Sequence, residues 1–214
     1  MKIGILGSGN VGKALAAGFL KIGNEVKIGT RDQDKLKEWS GKEGKGVSIG
    51  SFSEAAGFGE IAVIATSWTG TEHAIKMANK NNFSGKIVID VTNPLKVEKE
   101  GQPPVLAVAY PQSAGALIQK WLSDAKVVKA FNMTPAHYMT NPRLQEGEPS
   151  LFIAGNDIDA KNKVREIISA FGWKDVHDMG DIEQAYLLEA IAMTWIRHGF
   201  LNNHWNHAWK MLKK

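Results

Sequence analysis

Apolar and polar residues alternate in a regular way at the start of the chain. Residues 2–6 form a short apolar run, which predicts a strand. Residues 10–22 place apolar side chains at helical spacing, and residues 25–29 form a second short run. Gly23 lies where the helix is expected to end. The pattern therefore predicts a strand, a helix and a second strand in succession.

The same alternation continues along the chain. Residues 61–65 form an uninterrupted apolar run, which is typical of a strand buried in a parallel sheet. Further strands are predicted over 47–50, 86–90, 126–131, 150–155 and 173–177, and helices over 33–41, 51–56, 113–122 and 157–171. Residues 95–112 are expected to form a loop, and residues 181–211 to be mostly helical with an interruption near Gly199. This order predicts an α/β fold with a doubly wound, mostly parallel sheet and a small C-terminal helical segment.

A glycine-rich turn joins the first strand to the first helix. It reads Gly7-Ser8-Gly9-Asn10-Val11-Gly12. This G-x-G-x-x-G spacing, between a strand and a helix, is typical of a Rossmann-type dinucleotide site. Gly7 permits the tight turn, Gly9 lets a pyrophosphate approach the backbone, and Gly12 lets the helix lie close to the strand. The helix N–H groups near Asn10 and Val11 would face the anion. The alternative is a glycine turn without a ligand.

The end of the second strand distinguishes the two nicotinamide cofactors. Sites for NAD place a carboxylate there to bind the ribose 2′-hydroxyl, whereas this chain has Thr30 and Arg31. The Arg31 guanidinium and the Thr30 hydroxyl suit a 2′-phosphate, and Lys35 could add a third contact. Asp32 opposes this interpretation unless it serves as a helix N-cap. The sequence therefore favours NADP over NAD.

Other candidate binding residues follow the predicted strands. Ser67 and Trp68 come after residues 61–65, at the carboxyl edge where ligands of such sheets bind, and we expect them near the adenosine and pyrophosphate. His73 follows in the next helix and is as readily a surface residue. Asn93 is expected at the nicotinamide ribose. The segment beginning at Asn132, which follows residues 126–131, suits a flat ring lying against it or is a plain exit from the strand.

Composition excludes several classes of protein. The 214 residues contain no cysteine, so disulfides, zinc–thiolate sites and cysteine nucleophiles are excluded. The net charge is +4, but the basic residues are interspersed with acidic ones, so we expect no nucleic-acid partner. No apolar segment is long enough to span a membrane and no leader pattern is seen, so a cytoplasmic protein is expected. His204 and His207 lack a third ligand, and no metal site is predicted.

Recognisable acid–base chemistry is also missing. The chain has no G-x-S-x-G elbow, no P-loop, no H-E-x-x-H motif and no Tyr-x-x-x-Lys pair. No lysine is evident in an apolar helical pocket, and no residue is predicted to be catalytic. A reductase of a hydroxy acid would need a proton donor for the substrate oxygen. A nucleotide site without such a proton donor favours direct hydride transfer between two cofactors. In that reaction the protein mainly holds the two rings face to face.

Several motifs together resemble those of the NADPH-dependent deazaflavin (coenzyme F420) reductases, a group related to the cytosolic domain of the six-transmembrane metalloreductases. The resemblance covers nearly the whole chain. Its motifs are Gly7 to Gly12, Gly29-Thr30-Arg31 with Lys35, Val127 to Asn132, Pro135-Ala136, and Asp178-Met179-Gly180 before Leu187-Leu188-Glu189.

The resemblance implies an NADP-dependent oxidoreductase that passes a hydride to a flavin or deazaflavin acceptor (coenzyme F420, FMN or FAD), and it implies a homodimer. It implies NADP contacts at Ser8, Asn10, Val11, Thr30, Arg31, Lys35, Ser67, His73, Asn93 and Ala136. It also implies that the C-terminal segment near His207 closes over the acceptor. Asn132 is the second expected substrate-binding residue.

The expected division is an NADP-binding domain over residues 1–180 and a C-terminal helical segment over residues 181–214 that carries the acceptor site and dimer contact. Two alternatives remain open: an NADPH-dependent reductase of a small imine or carbonyl substrate, and a non-catalytic NADP-sensing module. The aromatic residues of the C-terminal segment are more readily core or a dimer interface than a ligand site.

Overall fold

A computed structural model of the chain describes residues 1–212. Its strands are β1 (Lys2–Leu6), β2 (Glu25–Gly29), β3 (Ser48–Gly50), β4 (Ile61–Ile64), β5 (Ile87–Asp90), β6 (Leu95–Lys96), β7 (Val105–Leu106), β8 (Lys126–Lys129), β9 (Ser150–Gly155) and β10 (Asp175–Asp178). Its helices are α1 (Asn10–Lys21), α2 (Lys37–Gly41), α3 (Phe52–Phe58), α4 (Trp68–Met77), α5 (Ala114–Trp121), α6 (Ala136–Met139), α7 (Ile158–Ala170) and α8 (Ala185–Asn202). Short 3-10 turns cover Asp34–Leu36, Lys80–Phe83 and Ile182–Gln184.

The main sheet has eight strands in the order β10-β9-β8-β5-β4-β1-β2-β3. The chain builds outward from β1 through β2 to β3, then returns to place β4 on the other side of β1. In sheets of this kind, ligands bind outside the carboxyl ends of the strands where the order reverses. The reversal lies between β1 and β4, so the glycine turn after β1 stands at that point. The predicted Rossmann-type, mostly parallel sheet is confirmed.

One strand of the main sheet runs against its neighbour on one side. β9 pairs antiparallel with β8, with Val128 opposite Gly155 and Lys129 opposite Ala154, and it pairs parallel with β10. Because only the last residues of β9 face β8, the beginning of β9 extends past the carboxyl edge of β8. The first residues of β9 and the part of β10 paired with them therefore project beyond that edge.

Two apolar cores lie on the two faces of the sheet, and α8 contributes to both. One core contains Phe19 of α1 and Phe171, whose rings meet edge to face with centroids 5.0 Å apart. Leu188 of α8 is buried in this core, whereas Ala185 of the same helix is buried in the other. The C-terminal helix thus packs as part of the sheet domain.

Two elements differ from their sequence-based prediction. Residues 95–112 contain the antiparallel pair β6 and β7. Each of these strands has only two residues, which is too short to produce a recognisable sequence pattern. Gly199 lies inside α8, and the helix ends at Asn202, where Asn203 adopts a left-handed conformation (φ 47°). The prediction of helix up to residue 211 is therefore wrong for residues 203–211. A Cβ at Gly199 would lie 2.6 Å from the Trp205 ring. The glycine therefore makes room for the chain to fold back and does not interrupt the helix.

Among residues 1–212, no helix combines the length and apolar character needed to cross a membrane.

Candidate functional site

The three glycines of the turn after β1 differ in how closely the protein packs around them. Gly7 has a φ of 122°, and a Cβ there would lie 2.3 Å from the Ala65 carbonyl oxygen, so only glycine fits. A Cβ at Gly12 would lie 2.0 Å from the Gly7 carbonyl oxygen. A Cβ at Gly9 would meet no protein atom within 4 Å. Packing therefore explains Gly7 and Gly12, but it leaves Gly9 unexplained.

The N-terminus of α1 has unpaired N–H groups and no acidic residue, which suits an anion. Gly9 is the N-cap residue, so no side chain caps the helix, and the first turn contains no acidic residue. The first backbone N–H groups of a helix lack intrahelical partners and carry the positive end of its dipole. The open space over Gly9 leads to these groups. This is the cradle that a pyrophosphate needs.

The residues expected around a 2′-phosphate meet at the end of β2. The Thr30 hydroxyl lies 3.0 Å from that of Ser8 and 3.2 Å from the backbone N and O of Asp32. Arg31 is exposed and makes no ion pair or side-chain hydrogen bond within residues 1–212. Lys35 is exposed and lies 3.6 Å from the Asp32 carboxylate. Asp32 thus faces Lys35, and the expected N-cap role of Asp32 is absent because Gln33 precedes the 3-10 turn.

Ser67, Trp68 and His73 lie on the next element of the carboxyl edge. Ser67 is the N-cap residue of α4 and makes no capping bond with its side chain, which is exposed. The Trp68 ring is half-buried and stacks on Trp121 with centroids 5.6 Å apart, so packing accounts for part of its surface. His73 is exposed in the same helix.

Asn93 and Asn132 form a reciprocal pair across the ends of β5 and β8. The Asn93 amide donates to the Asn132 carbonyl oxygen at 2.7 Å, and the Asn132 amide donates to Asn93 Oδ1 at 2.9 Å. The Asn132 amide also donates to the Leu188 carbonyl oxygen of α8 at 3.0 Å. Asn132 is 5% exposed, so it acts mainly as a link beneath the edge. Ala136 is half-buried at the start of α6, just beyond this pair.

A buried group of charges lies below the asparagine pair. The Lys129 ammonium lies 2.8 Å from Asp90 Oδ2, 2.9 Å from Glu189 Oε1 and 2.6 Å from the Thr92 carbonyl oxygen. Lys129 and Asp90 are 0% exposed and Glu189 is 1% exposed. Asp90 Oδ1 also accepts from the Thr92 N–H at 2.8 Å, which stabilises the turn after β5.

Sequence reasoning missed Lys129 and Glu189. A search for a lysine in an apolar helical pocket overlooks a lysine at the end of a strand. Burial lowers the pKa of Lys129, but the carboxylates of Asp90 and Glu189 outweigh that effect and hold it above its ordinary value. Lys129 therefore stays protonated at neutral pH and is unsuited to donate its proton.

Glu189 also joins the C-terminal helix to α5. Its two carboxylate oxygens accept the N–H groups of Ala114 and Gly115, each at 3.1 Å, in the first turn of α5. A carboxylate at a helix N-terminus is stabilised by the helix dipole. This contact and the ion pair with Lys129 fix α8 against the carboxyl edge.

His207 lies in the tail that follows α8. Its ring stacks on Trp195 with centroids 4.8 Å apart, and the Trp195 indole donates to the His207 carbonyl oxygen at 2.7 Å. His207 lines a cavity of about 870 Å³ together with Tyr138 and Trp209. Burial, with His198 and His204 nearby, holds the pKa of His207 below its ordinary value. Residues 1–212 hold no cluster of ligands suited to a metal ion.

Comparisons with known proteins agree with this geometry. A family profile described as NADP oxidoreductase, coenzyme F420-dependent, matches residues 2–94. A solved structure from Arthrobacter sp. FB24, described as a candidate F420-dependent NADP reductase, is 35% identical with a TM-score of 0.94, and the match covers 100% of both chains.

Two curated relatives extend the comparison. The F420-dependent NADP reductase of Methanocaldococcus jannaschii is 27% identical over 201 residues, which is 89% of each chain. The metalloreductase STEAP3 of Rattus norvegicus is 29% identical over 194 residues. That match covers 90% of this chain but only 36% of the metalloreductase. From these matches, the chain is an NADP-dependent oxidoreductase and belongs to the family of coenzyme F420-dependent NADP oxidoreductases.

Proposed function

We propose that this protein transfers a hydride directly between NADP(H) and a flavin or deazaflavin acceptor of the F420 type. The observation that carries the proposal is the open N-terminus of α1 beside the exposed Arg31. Gly9 leaves space over unpaired helix N–H groups, and Arg31 supplies a guanidinium without a carboxylate partner in the described chain. These are the donors that a pyrophosphate and a 2′-phosphate require.

The proposed NADP contacts follow the carboxyl edge from β2 to α6. The phosphates and adenosine would be held by the glycine turn, the end of β2 and the start of α4, and the nicotinamide end by residues after β5 and β8. The residues proposed are Gly7, Ser8, Gly9, Asn10, Val11, Gly12, Thr30, Arg31, Lys35, Ser67, Trp68, His73, Asn93 and Ala136.

Protein acid–base groups are not needed for this reaction. NADPH supplies a hydride, which carries two electrons and one hydrogen nucleus, and the acceptor completes its reduction with a proton from solvent. Lys129 is held protonated by two carboxylates, which suits a supporting role. The chain's contribution is then to bind, orient and shield the reacting rings.

The acceptor is proposed to bind on the C-terminal side of the edge, in the cavity lined by Tyr138 and His207. Tyr138 belongs to α6, the helix that begins with Ala136, so the cavity adjoins the proposed nicotinamide end. The proposed division keeps NADP on residues 1–180 and places the acceptor site mainly on residues 181–214, with Tyr138 and Asn132 contributed by the first part; residues 213 and 214 lie outside the described part. Asn132 and His207 are the proposed acceptor-side residues.

A homodimer is proposed from the apolar side chains that the C-terminal segment exposes. Phe200, Leu201, Trp205 and Trp209 are exposed at its surface. Exposed apolar patches of this kind often mark protein interfaces. Sedimentation of the full chain tests this proposal, because a monomer at all concentrations would contradict it.

A stopped-flow experiment tests the proposed reaction. Oxidation of NADPH is followed against coenzyme F420, FMN and FAD side by side, with NADH as the matched donor control. Rapid single-turnover oxidation with at least one of these acceptors is expected, with NADH much slower at equal concentration. Oxidation of NADPH only by small imines or carbonyl compounds would instead support the alternative reductase, and NADPH binding without any oxidation would support a sensor.

A further inference from the structure

The buried charges and the asparagine pair form one connected network. Lys129 donates to the Thr92 carbonyl oxygen, directly before Asn93. Asn93 pairs with Asn132, and Asn132 donates to the Leu188 carbonyl oxygen, directly before Glu189. Glu189 accepts from Lys129, so the contacts form a closed ring.

Taken together, the contacts of this network join the two sides of the proposed reaction site, because the Asn132–Leu188 and Lys129–Glu189 contacts reach α8. Thr92 and Asn93 follow β5, whereas Leu188 and Glu189 belong to α8, the helix that carries Trp195 and, beyond it, His207. Buried hydrogen-bonded ions resist displacement, because moving one partner leaves an uncompensated charge. The network therefore fixes the distance between the end of β5 and the first turns of α8.

We propose that Lys129 is a positioning residue for hydride transfer, which sets the separation between the nicotinamide side and the acceptor side of the site through Asn93, Asn132 and Glu189. This inference rests on the proposed function. It adds a cause for the burial of three charged side chains, Lys129, Asp90 and Glu189, which are at most 1% exposed. Rates of transfer between fixed rings depend steeply on their separation and orientation.

A matched pair of lysine variants tests the proposal. Lys129→Met removes the central cation. Lys161→Met removes a comparable bridge elsewhere, since Lys161 is 8% exposed, lies 2.9 Å from Asp178 and donates to the Gly180 carbonyl oxygen at 3.1 Å. Both substitutions are expected to lower the melting temperature, so destabilisation alone does not separate them.

The readouts are the NADPH dissociation constant, the single-turnover rate constant with saturating acceptor, and the exchange rates of the side-chain amide protons of Asn93 and Asn132. For Lys129→Met we expect a dissociation constant within about twofold of the original, a transfer rate at least about tenfold lower, and amide exchange at least about tenfold faster. For Lys161→Met we expect all three within about twofold.

Equal transfer rates in the two variants would overturn the positioning role while leaving the proposed function intact. If the original protein binds NADPH but reduces no flavin or deazaflavin, both proposals fall. Should Lys129→Met not fold, Glu189→Gln serves instead, because it keeps the volume and removes one of the two charges facing Lys129. An unchanged transfer rate in Glu189→Gln would likewise overturn the inference.

Discussion

The hydroxyl oxygens of Ser8 and Thr30 lie 3.0 Å apart, although 22 positions separate the two residues in the chain. This contact ties the glycine turn to the end of β2. Thr30 Oγ1 also contacts the backbone of Asp32 on both its N and O atoms, so the backbone on both sides of Arg31 is held. The backbone that carries the exposed Arg31 guanidinium is therefore fixed beside the N-terminus of α1.

Replacing Arg31 by alanine should weaken NADPH binding by about 1.5–3 kcal/mol, the loss expected for a hydrogen bond to a charged group. Binding of NADH should barely change, because NADH lacks the 2′-phosphate. Fluorescence titration of both dinucleotides measures the difference. Lys35→Ala is the matched control, and we expect a smaller loss because Lys35 already faces Asp32 at 3.6 Å. Equal weakening of NADPH and NADH by Arg31→Ala would show that the 2′-phosphate lies elsewhere.

Gly9→Ser should weaken NADPH binding without lowering the free energy of unfolding. The position has an ordinary extended conformation (φ −76°, ψ −176°) and open space around a Cβ. Serine is also a better N-cap than glycine, so the free energy of unfolding should stay equal or rise by a few tenths of a kcal/mol. NADPH binding should weaken at least about tenfold, because the side chain occupies the proposed path of the pyrophosphate.

The control for that variant is Gly12→Ala, whose Cβ would lie 2.0 Å from the Gly7 carbonyl oxygen. It should lower the stability of the protein, measured by urea unfolding. A Gly9→Ser protein that binds NADPH as tightly as the original would remove the main support for the dinucleotide site.

Glu189→Ala should lower the free energy of unfolding by about 3–5 kcal/mol, because it leaves Lys129 less compensated in a buried site and removes the acceptor for the first N–H groups of α5. Urea unfolding measures the change. The matched surface variant is Glu166→Ala, which breaks an exposed pair with Lys163 and should cost about 0–1 kcal/mol. Similar losses in both variants would argue against a special role for the buried pair.

Acidification should loosen the C-terminal tail. The folded protein holds the pKa of His207 below its ordinary value of 6.5, so the tail favours the neutral ring. Its contribution to stability is complete above that ordinary value and is lost as pH falls through the lower pKa of the folded state. Tryptophan fluorescence between about pH 7.5 and pH 5 should report separation of the stack with Trp195.

His207→Phe keeps an aromatic ring on Trp195 but removes the titrating group. Its fluorescence should depend less on pH over the same interval. A transition of equal size in the variant would assign the change to another residue, with His198 and His204 as the nearest candidates.

Local patterns were sufficient to predict most of the sheet. The uninterrupted apolar run at residues 61–65 marked β4. Ser51 and Glu54, three positions apart at the start of the helix predicted over 51–56, form a capping box with both reciprocal hydrogen bonds. Such features depend on residues a few positions apart, so the sequence displays them directly. The glycine turn is of the same kind, because its spacing is contained in residues 7–12 directly after β1.

The buried charges could not be predicted in this way. Lys129 stands at the end of a strand and has the appearance of a solvated residue. Its burial depends on Asp90 and on Glu189 from the opposite end of the chain. The position of His207 is similar, because Gly199 and the left-handed Asn203 together reverse the tail onto α8. These arrangements arise from packing between segments far apart in the sequence. The periodicity of apolar residues carries no information about such contacts.

The antiparallel pairing of β9 has one further consequence. With Ala154 and Gly155 opposite β8, residues 150–153 form an overhang of about 13 Å at roughly 3.3 Å per residue. Its outer end is fastened to the tail, because the Ser150 N–H donates to the Trp209 carbonyl oxygen at 2.8 Å and the Met211 N–H donates to the Ser150 hydroxyl at 2.8 Å. Lengthening this strand by one residue would shift the tail by one step and turn the neighbouring side chains to the opposite face. The length of β9 therefore sets the position of the tail, and with it the cavity beside His207, independently of the glycine turn and the end of β2.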